Sequence, residues 1–144
     1  MELLIDVGNT RLKYAKVLKG KIKLKGCCSE PELIKIIKDA SEETNNIMIS
    51  SVQPIKERIL FLAKKHAKNT LILSSKIKTP FRYKQKSLKN SGPDRLALVA
   101  GGLQQYPNTP VLIIDVGTCI TFDFINSNKV YFGGAISPGV EMRL

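Results

Sequence analysis

The sequence predicts an α/β protein with a mixed sheet and flanking helices, for three reasons. The chain begins with three strand-like segments, which indicates a β-meander. Amphipathic helices then alternate with short apolar strands, a pattern typical of an α/β sheet. An apolar strand that ends in an aspartate and a Gly-containing turn also occurs twice, once near each end of the chain.

The opening meander consists of the strand that ends at Asp6 and of two further strands, at residues 11–18 and 21–25. Lys19 and Gly20 suit the two-residue tip of a hairpin between them. Lysines largely alternate with apolar or small residues here, which is typical of a strand pair with one solvated face.

Helices and strands are expected to alternate after the meander. Ser29-Glu30-Pro31-Glu32 is a helix-start signal, with Ser as N-cap, Pro in the first turn and acids that the helix dipole favours. Hydrophobic periodicity then gives this helix one apolar face, formed by Leu33, Ile36 and Ile37. It also predicts a strand at residues 46–51, a second helix at residues 54–66 and a further strand at residues 70–74.

Residues 75–92 are rich in Lys and Arg and contain Pro80 and Gly92, which predicts a loop rather than a core element. An apolar helix is expected after Arg95, and Pro107 helps to end it. After this helix, residues 110–115 are the second copy of the first strand. Its meander partners are predicted at residues 118–125 and 130–132, and a Gly/Pro turn is predicted at residues 133–139.

In the two repeated motifs, Asp6-Val7-Gly8 and Asp115-Val116-Gly117, three aliphatic residues precede the aspartate. Glycine lets the backbone turn sharply or approach a ligand closely. Backbone N–H groups of such a turn can bind phosphate, and the aspartate can hold a hydrated Mg²⁺. One such motif alone is most often only a strand and a tight turn. Two copies favour a two-lobed nucleotide-binding protein.

The spacing of the two copies predicts a first lobe over residues 1–109 and the start of a duplicated second lobe over residues 110–144. The second copy is much shorter than the first. We therefore expect either that the natural protein continues beyond Leu144 or that this chain is a truncated product.

Composition narrows the classes of function. An apolar fraction of 43% excludes a disordered chain, and no apolar run approaches the roughly 18 residues of a membrane span. The first residues lack a basic leader, so we expect a cytoplasmic protein without a membrane partner. Cys27, Cys28 and Cys119 fit neither a disulfide framework nor a zinc site. The net charge is +11, but the basic residues are dispersed and aromatics are few, which argues against nucleic-acid binding.

Four segments of the chain form a further, ordered pattern: Asp6-Val7-Gly8-Asn9-Thr10-Arg11-Leu12-Lys13, Gly92-Pro93-Asp94-Arg95, Asp115-Val116-Gly117-Thr118 and Gly133-Gly134-Ala135-Ile136-Ser137-Pro138-Gly139. In this order they resemble the type III pantothenate kinases, bacterial coenzyme A biosynthesis enzymes of the acetate kinase, sugar kinase, Hsp70 and actin superfamily. The resemblance implies a ribonuclease H-like (actin-like ATPase) fold whose first lobe is complete and whose second is only begun. It also implies ATP-dependent phosphorylation of pantothenate to 4'-phosphopantothenate by a homodimer.

The resemblance assigns cofactor roles to both turns. Residues 6–13 would form the first phosphate-binding turn, with Asp6 holding Mg²⁺ through water. Asn9, Thr10 and Lys13 would face phosphate oxygens, although Lys13 could equally be surface charge. In the second turn, Asp115 would bind a monovalent cation, K⁺ or NH₄⁺, and Thr118 would contact ATP.

The resemblance also assigns a substrate site. Asp94 would be the catalytic base, and Gly92, Pro93, Asp94 and Arg95 would contact pantothenate. Tyr83 is the nearest candidate for a substrate-contacting tyrosine that the family places a few residues before the glycine. A structural alternative stays open for Asp94, which could simply be a first-turn acid that the helix dipole stabilises. Asp123 lies between two phenylalanines on a strand and is expected to point outward rather than to bind a ligand.

Two functions from other classes also remain. A non-catalytic nucleotide-binding regulator of the same family would need no base, yet Asp94 is retained. A ribonuclease H-like nuclease would need several carboxylates that converge on two metals. The acids between Asp6 and Asp94 fall in predicted helices or at their ends, which disfavours the nuclease.

Overall fold

A computed structural model describes residues 1–40, 44–74 and 76–142 of the chain. It confirms the α/β class and divides the chain into two compact units, Met1–Leu73 and Ser74–Leu144. The predicted lobe boundary between residues 109 and 110 concerns the duplication and stays a prediction. The compact units themselves divide between Leu73 and Ser74.

The first unit contains a five-stranded sheet in the order β3-β2-β1-β4-β5. The first three strands are antiparallel, whereas β4 and β5 run parallel to β1. Lys19 and Gly20 have positive φ angles of 50° and 73°, as a two-residue hairpin tip requires. The strands are β1 (Glu2–Val7), β2 (Leu12–Leu18), β3 (Lys21–Cys28), β4 (Asn46–Ser51) and β5 (Asn69–Ile72).

Two helices, α1 (Glu30–Asp39) and α2 (Glu57–His66), pack on one face of this sheet. Alternate residues of the central strands β1 and β4 meet them, because successive strand residues point to opposite faces. The resulting core includes Leu3, Ile5, Leu33, Ile37, Ile47, Ile49, Ile59, Leu62 and Ala63.

Helix α1 begins after Ser29, the residue that the sequence predicts as its N-cap. The Ser29 backbone N–H and hydroxyl both donate hydrogen bonds to Glu32 Oε2, each at 2.7 Å. These two donors hold the pKa of the Glu32 carboxyl below its usual value, the backbone N–H more strongly than the hydroxyl. The helix therefore begins where its local sequence predicts.

The second unit contains a four-stranded sheet in the order β6-β9-β8-β7, with one helix on one face. The short strand β6 pairs in parallel with β9, and the other pairs are antiparallel. A separate core forms from Phe81, Leu96, Val99, Leu103, Ile125 and Tyr131. The elements are β6 (Arg82–Tyr83), α3 (Pro93–Gln105), β7 (Val111–Val116), β8 (Cys119–Ile125) and β9 (Val130–Pro138).

Two predictions of irregular structure were wrong. The loop expected at residues 75–92 contains β6 and a short 3-10 helix, Lys86–Asn90, and it buries Phe81 to 5% exposure in the second core. The turn expected at residues 133–139 continues β9 as far as Pro138. Its glycines permit close strand packing instead, since a Cβ on Gly134 would collide with the carbonyl of Phe122.

Within the described residues, no helix is both long enough and apolar enough to cross a membrane.

Candidate functional site

The first Asp-x-Gly turn connects β1 to β2 in the first unit. The Gly8 N–H donates a hydrogen bond to the Arg11 carbonyl oxygen at 3.1 Å, which ties the two ends of the turn together. A Cβ atom on residue 8 would lie only 3.1 Å from that oxygen, so glycine allows this close approach. Asn9, Thr10 and Arg11 are exposed at the tip, where a ligand can reach them.

A depression with a volume of about 210 Å³ lies beside this turn and is lined in part by residues 7–12. Gln53, from the loop after β4, also lines it and donates from Nε2 to Asn9 Oδ1 at 3.1 Å. Lys56 and Glu30 form an ion pair at its wall. Sequence reasoning missed these three side chains. The order of the strands was not predicted. In the structure β4 runs parallel to β1, and the carboxyl ends of parallel strands form one sheet edge where ligands bind.

Asp6 lies on the sheet face opposite the helices. Its neighbour Ile5 is buried against the helices, so alternation points Asp6 the other way. The register sets Asp6 directly opposite Lys13 of β2 and Ser50 of β4, and directly opposite residues share a face. The structure thus brings Asp6 and Lys13 together but does not place Asp6 among the residues that line the depression.

The surroundings of Asp6 fit a hydrated cation. The Ser50 hydroxyl is buried and has no hydrogen-bond partner in the part of the chain that the structure describes. An unsatisfied buried hydroxyl is costly, by about 1–3 kcal/mol. Carboxylate and water oxygens are the ligands that Mg²⁺ prefers, and a bound water could also satisfy Ser50.

The second Asp-x-Gly turn connects β7 to β8 and packs against the end of β9. The Gly117 N–H bonds to the Cys119 carbonyl oxygen, and the Gly139 N–H bonds to the Thr118 carbonyl oxygen, each at 2.9 Å. A Cβ on Gly139 would collide with the carbonyl oxygens of Gly117 and Thr118. The fold therefore joins two of the predicted motifs at one place, with Asp115 and Thr118 exposed.

Across residues 1–40, 44–74 and 76–142, no three His, Cys, Asp or Glu side chains group closely enough to hold a metal ion. The two predicted cation ligands, Asp6 and Asp115, belong to different units. Each contributes one carboxylate, which matches a cation held mainly by water and phosphate oxygens.

The predicted catalytic segment forms the start of α3. Gly92 is the N-cap residue, Pro93 opens the helix, and the Leu96 N–H donates to the Gly92 carbonyl oxygen at 3.1 Å. The Asp94 carboxylate folds back over Gly92, where a Cβ would collide with Asp94 Oδ1. Glycine at this position therefore leaves the space that the partly exposed carboxylate occupies.

Arg95 binds a buried carboxylate within its own unit. Its Nε and Nη2 atoms donate to Asp123 Oδ2 and Oδ1, at 2.9 and 2.6 Å. Asp123 is 0% exposed, so the prediction that it points outward was wrong. Strand alternation correctly separates Asp123 from Phe122 and Phe124. It could not indicate that α3 covers the Asp123 side of the sheet.

Tyr131 completes this buried group. Its hydroxyl donates to Asp123 Oδ1 at 2.5 Å, and its oxygen lies 3.3 Å from the Ser91 hydroxyl oxygen. Burial, followed by the bond to Asp123, raises the pKa of Tyr131 to about 12. The same pairing with Asp123 raises the pKa of Arg95. Sequence reasoning missed Tyr131 and Ser91, and no local motif marks them.

Tyr83, the predicted substrate-contacting tyrosine, lies in β6 and is half-buried. Its ring packs edge-on against Phe81 and Tyr131, with centroid distances of 5.3 and 6.1 Å. The ring is therefore held in place by the second core, and its contact with substrate stays a prediction.

This architecture, with the order β3-β2-β1-β4-β5 and two strands parallel to β1, defines a ribonuclease H-like fold of the actin-like ATPase class. A crystal structure described as an N-acetylglucosamine kinase from Porphyromonas gingivalis aligns with a TM-score of 0.53 at 12% identity, covering 94% of this chain and 47% of that one. A second, described as a Baf family transcriptional activator from Campylobacter jejuni, aligns with a TM-score of 0.55 at 21% identity, covering 96% and 55%. At these identities the likeness concerns the fold alone.

The sequence profile described as Type III pantothenate kinase matches residues 2–144, and the chain belongs to that family. A type III pantothenate kinase from Flavobacterium johnsoniae is 40% identical over 147 residues, which cover 99% of this chain and 59% of that protein. The first relatives it matches are thus longer, and the chain spans about 60% of their length.

Proposed function

We propose that this chain carries the nucleotide-binding and catalytic segments of an enzyme that phosphorylates pantothenate with ATP to give 4'-phosphopantothenate, the first step of coenzyme A biosynthesis. The observation that supports this most strongly is the start of α3, in a chain of the type III pantothenate kinase family. There a glycine leaves room for the Asp94 carboxylate, and Arg95 is fixed beside it.

Asp94 is the proposed catalytic base. It accepts the proton of the pantothenate primary hydroxyl as that oxygen attacks the γ-phosphorus of ATP. The bond between the γ-phosphorus and the β,γ-bridging oxygen breaks, and ADP leaves. Phosphoryl transfer depends mainly on alignment and charge neutralisation, so a positioned carboxylate at a helix start suits the task.

Arg95 and Tyr83 are the proposed substrate contacts, together with Gly92 and Pro93. The Asp123 carboxylate accepts hydrogen bonds from Nε and Nη2 of the Arg95 guanidinium, and Nη1 takes no part in these two bonds. Nη1 is the group that we assign to the pantothenate carboxylate, because a guanidinium can bind two anions through different edges.

The two turns are the proposed cofactor sites. The tip at residues 8–12 and Thr118 would contact ATP phosphates, and Asp6, with Lys13 and Ser50 on its face, would hold hydrated Mg²⁺. When bound, Mg²⁺ neutralises charge on the phosphates. Asp115 would bind K⁺ or NH₄⁺. We further propose a cytoplasmic homodimer without nucleic-acid or membrane partners.

The test is ADP release with pantothenate, MgATP and KCl, measured for this chain and for the product of its complete reading frame. Asp94→Asn keeps the size of the side chain but removes the base, so kcat should fall by about 10²- to 10⁴-fold. The dissociation constant of ATP, measured by calorimetry, should stay within about twofold.

Asp39→Asn is the matched control, since Asp39 is an exposed carboxylate at the end of α1 in the first unit. Its kcat should equal that of the wild type. ATP binding without pantothenate-dependent ADP release at any KCl concentration would instead favour the non-catalytic regulator, and full activity of Asp94→Asn would exclude the assigned base.

A further inference from the structure

One buried carboxylate holds both ends of the segment that carries Asp94. On one side, Asp123 binds Arg95 through a two-bond fork. On the other, Asp123 accepts a hydrogen bond from Tyr131, whose oxygen is within hydrogen-bond distance of the Ser91 hydroxyl. Asp94 lies between Ser91 and Arg95 in the sequence, and none of these contacts uses its carboxylate.

We propose that Asp123 and Tyr131 are positioning residues, which hold the first turn of α3 so that the Asp94 carboxylate stays in the orientation needed for proton transfer. This inference rests on the proposed function for its catalytic consequence. Its structural part, the attachment of residues 91–95 to the sheet, can be tested without any activity.

The attachment is rigid for three reasons. The fork fixes both the distance and the plane of the guanidinium, which a single hydrogen bond would not do. The Asp123 carboxylate is 0% exposed, so water does not compete for its oxygens. The Tyr131 ring is also 0% exposed and packs against Phe81, with a centroid distance of 5.7 Å, so its hydroxyl has a fixed position.

The charges are compatible with a permanent attachment. The Arg95 side chain is 11% exposed, and its positive charge faces the negative charge of Asp123. The raised pKa of Tyr131, about 12, keeps its phenol protonated and able to donate throughout the neutral range. The hydrogen bond that the Tyr131 phenol donates to Asp123 is therefore retained throughout the neutral range.

The decisive variant is Tyr131→Phe, which keeps the packed ring but removes the hydroxyl that connects Ser91 to Asp123. Ser91→Ala removes the same connection from the other side and leaves the core untouched, so it covers the case in which Tyr131→Phe does not fold. Tyr106→Phe is the control, because Tyr106 is 52% exposed at the far end of α3.

Two measurements are made on each variant: steady-state kinetics, and amide hydrogen exchange of the peptide that contains residues 91–98. For Tyr131→Phe or Ser91→Ala we expect exchange of the Leu96 amide, whose N–H donates to the Gly92 carbonyl oxygen, to accelerate by about tenfold. We also expect kcat to fall by about tenfold or more, because small displacements of a reacting group are costly. KM for ATP should stay within about twofold. Tyr106→Phe should change neither exchange nor kcat.

Unchanged exchange in both Tyr131→Phe and Ser91→Ala would overturn the attachment, whether or not the protein is a kinase. Faster exchange with an unchanged kcat would overturn the positioning role while leaving the proposed function intact. If the wild type has no kinase activity, the proposed function fails, and the catalytic part of this inference fails with it. The exchange result then still decides the attachment.

Discussion

At the scale of single residues, the ionisation of the Tyr131 phenol is linked to folding of the second unit. The phenol is fully buried and donates a hydrogen bond to the buried Asp123 carboxylate. Burial, followed by this hydrogen bond, raises the pKa of Tyr131 to about 12, against an ordinary value of about 10.

This linkage predicts how stability depends on pH. Above about pH 10 the unfolded chain loses the phenol proton whereas the folded protein keeps it, so the contribution of Tyr131 to the free energy of unfolding should fall between about pH 10 and 12. Urea unfolding of the wild type and of Tyr131→Phe at pH 9, 10, 11 and 11.5 measures this. The stability difference between them should shrink above pH 10.

All other ionisable groups are common to both proteins, so their contributions cancel in the difference. Tyr106→Phe, which removes the hydroxyl of a tyrosine that is 52% exposed, is the control. A stability difference for Tyr131→Phe that does not change with pH would contradict the prediction.

At the scale of elements, the β7–β8 turn depends on the strand that packs against it. Gly139 follows β9 and donates to the Thr118 carbonyl oxygen at 2.9 Å. There is no room for a side chain between the two backbones. The Gly/Pro segment at residues 133–139 therefore supports the second candidate phosphate turn without being a turn itself.

A methyl group at this contact should disturb the turn. For Gly139→Ala we expect a loss of stability of about 1–3 kcal/mol, because the new Cβ meets two backbone carbonyls that can only move with the main chain. We also expect the dissociation constant of ATP to rise by about tenfold. Urea unfolding and calorimetry measure the two effects.

The same substitution elsewhere is a matched control. A Cβ on Gly101, inside α3, meets nothing within 4 Å. Gly101→Ala should therefore stabilise the protein by about 0.5–1 kcal/mol, through helix propensity, and leave ATP binding unchanged. Equal effects of the two substitutions would show that contact with the turn is not what matters.

At the scale of the whole molecule, the chain contains two separate hydrophobic cores, one in each compact unit. The first is built from α1, α2 and alternate residues of β1 and β4, and the second from α3, β8, β9 and Phe81. Each compact unit also contains one of the two Asp-x-Gly turns. Damage to one core should therefore first affect the turn of its own unit.

Truncation of one isoleucine in each core tests this. Ile37 and Ile125 are both 0% exposed, and either change to alanine should cost about 2–5 kcal/mol. Hydrogen exchange should accelerate mainly within residues 1–73 for Ile37→Ala and within residues 74–144 for Ile125→Ala. Ile22→Ala, at a residue 59% exposed, should have little effect, whereas uniform acceleration in all three variants would argue against separate cores.

Much of this molecule follows from local sequence signals. The Lys19-Gly20 tip, the capped start of α1 at Ser29 and the Gly92-Pro93 start of α3 each depend on residues within a few positions of one another. Strand β1 and the turn after Gly8 are equally local. Three of the family motifs lie at the two Asp-x-Gly turns and at the start of α3, and the roles of their residues stay predictions.

Local sequence signals do not show which side chains are buried or which distant residues meet, since both depend on the tertiary structure. Strand alternation shows that Asp123 and Phe124 face opposite ways, but only the packing of α3 decides that Asp123 is the buried one. The meeting of Gln53 with Asn9, of Tyr131 with Asp123 and of Gly139 with Thr118 likewise joins residues distant in sequence. Sequence by itself determined the strands of the first unit and the starts of α1 and α3, because those preferences are local, but not β6 or the continuation of β9 to Pro138. Only the tertiary structure decided which polar groups are buried together. Helices cover one face of each sheet, and burial depends on these contacts between distant segments.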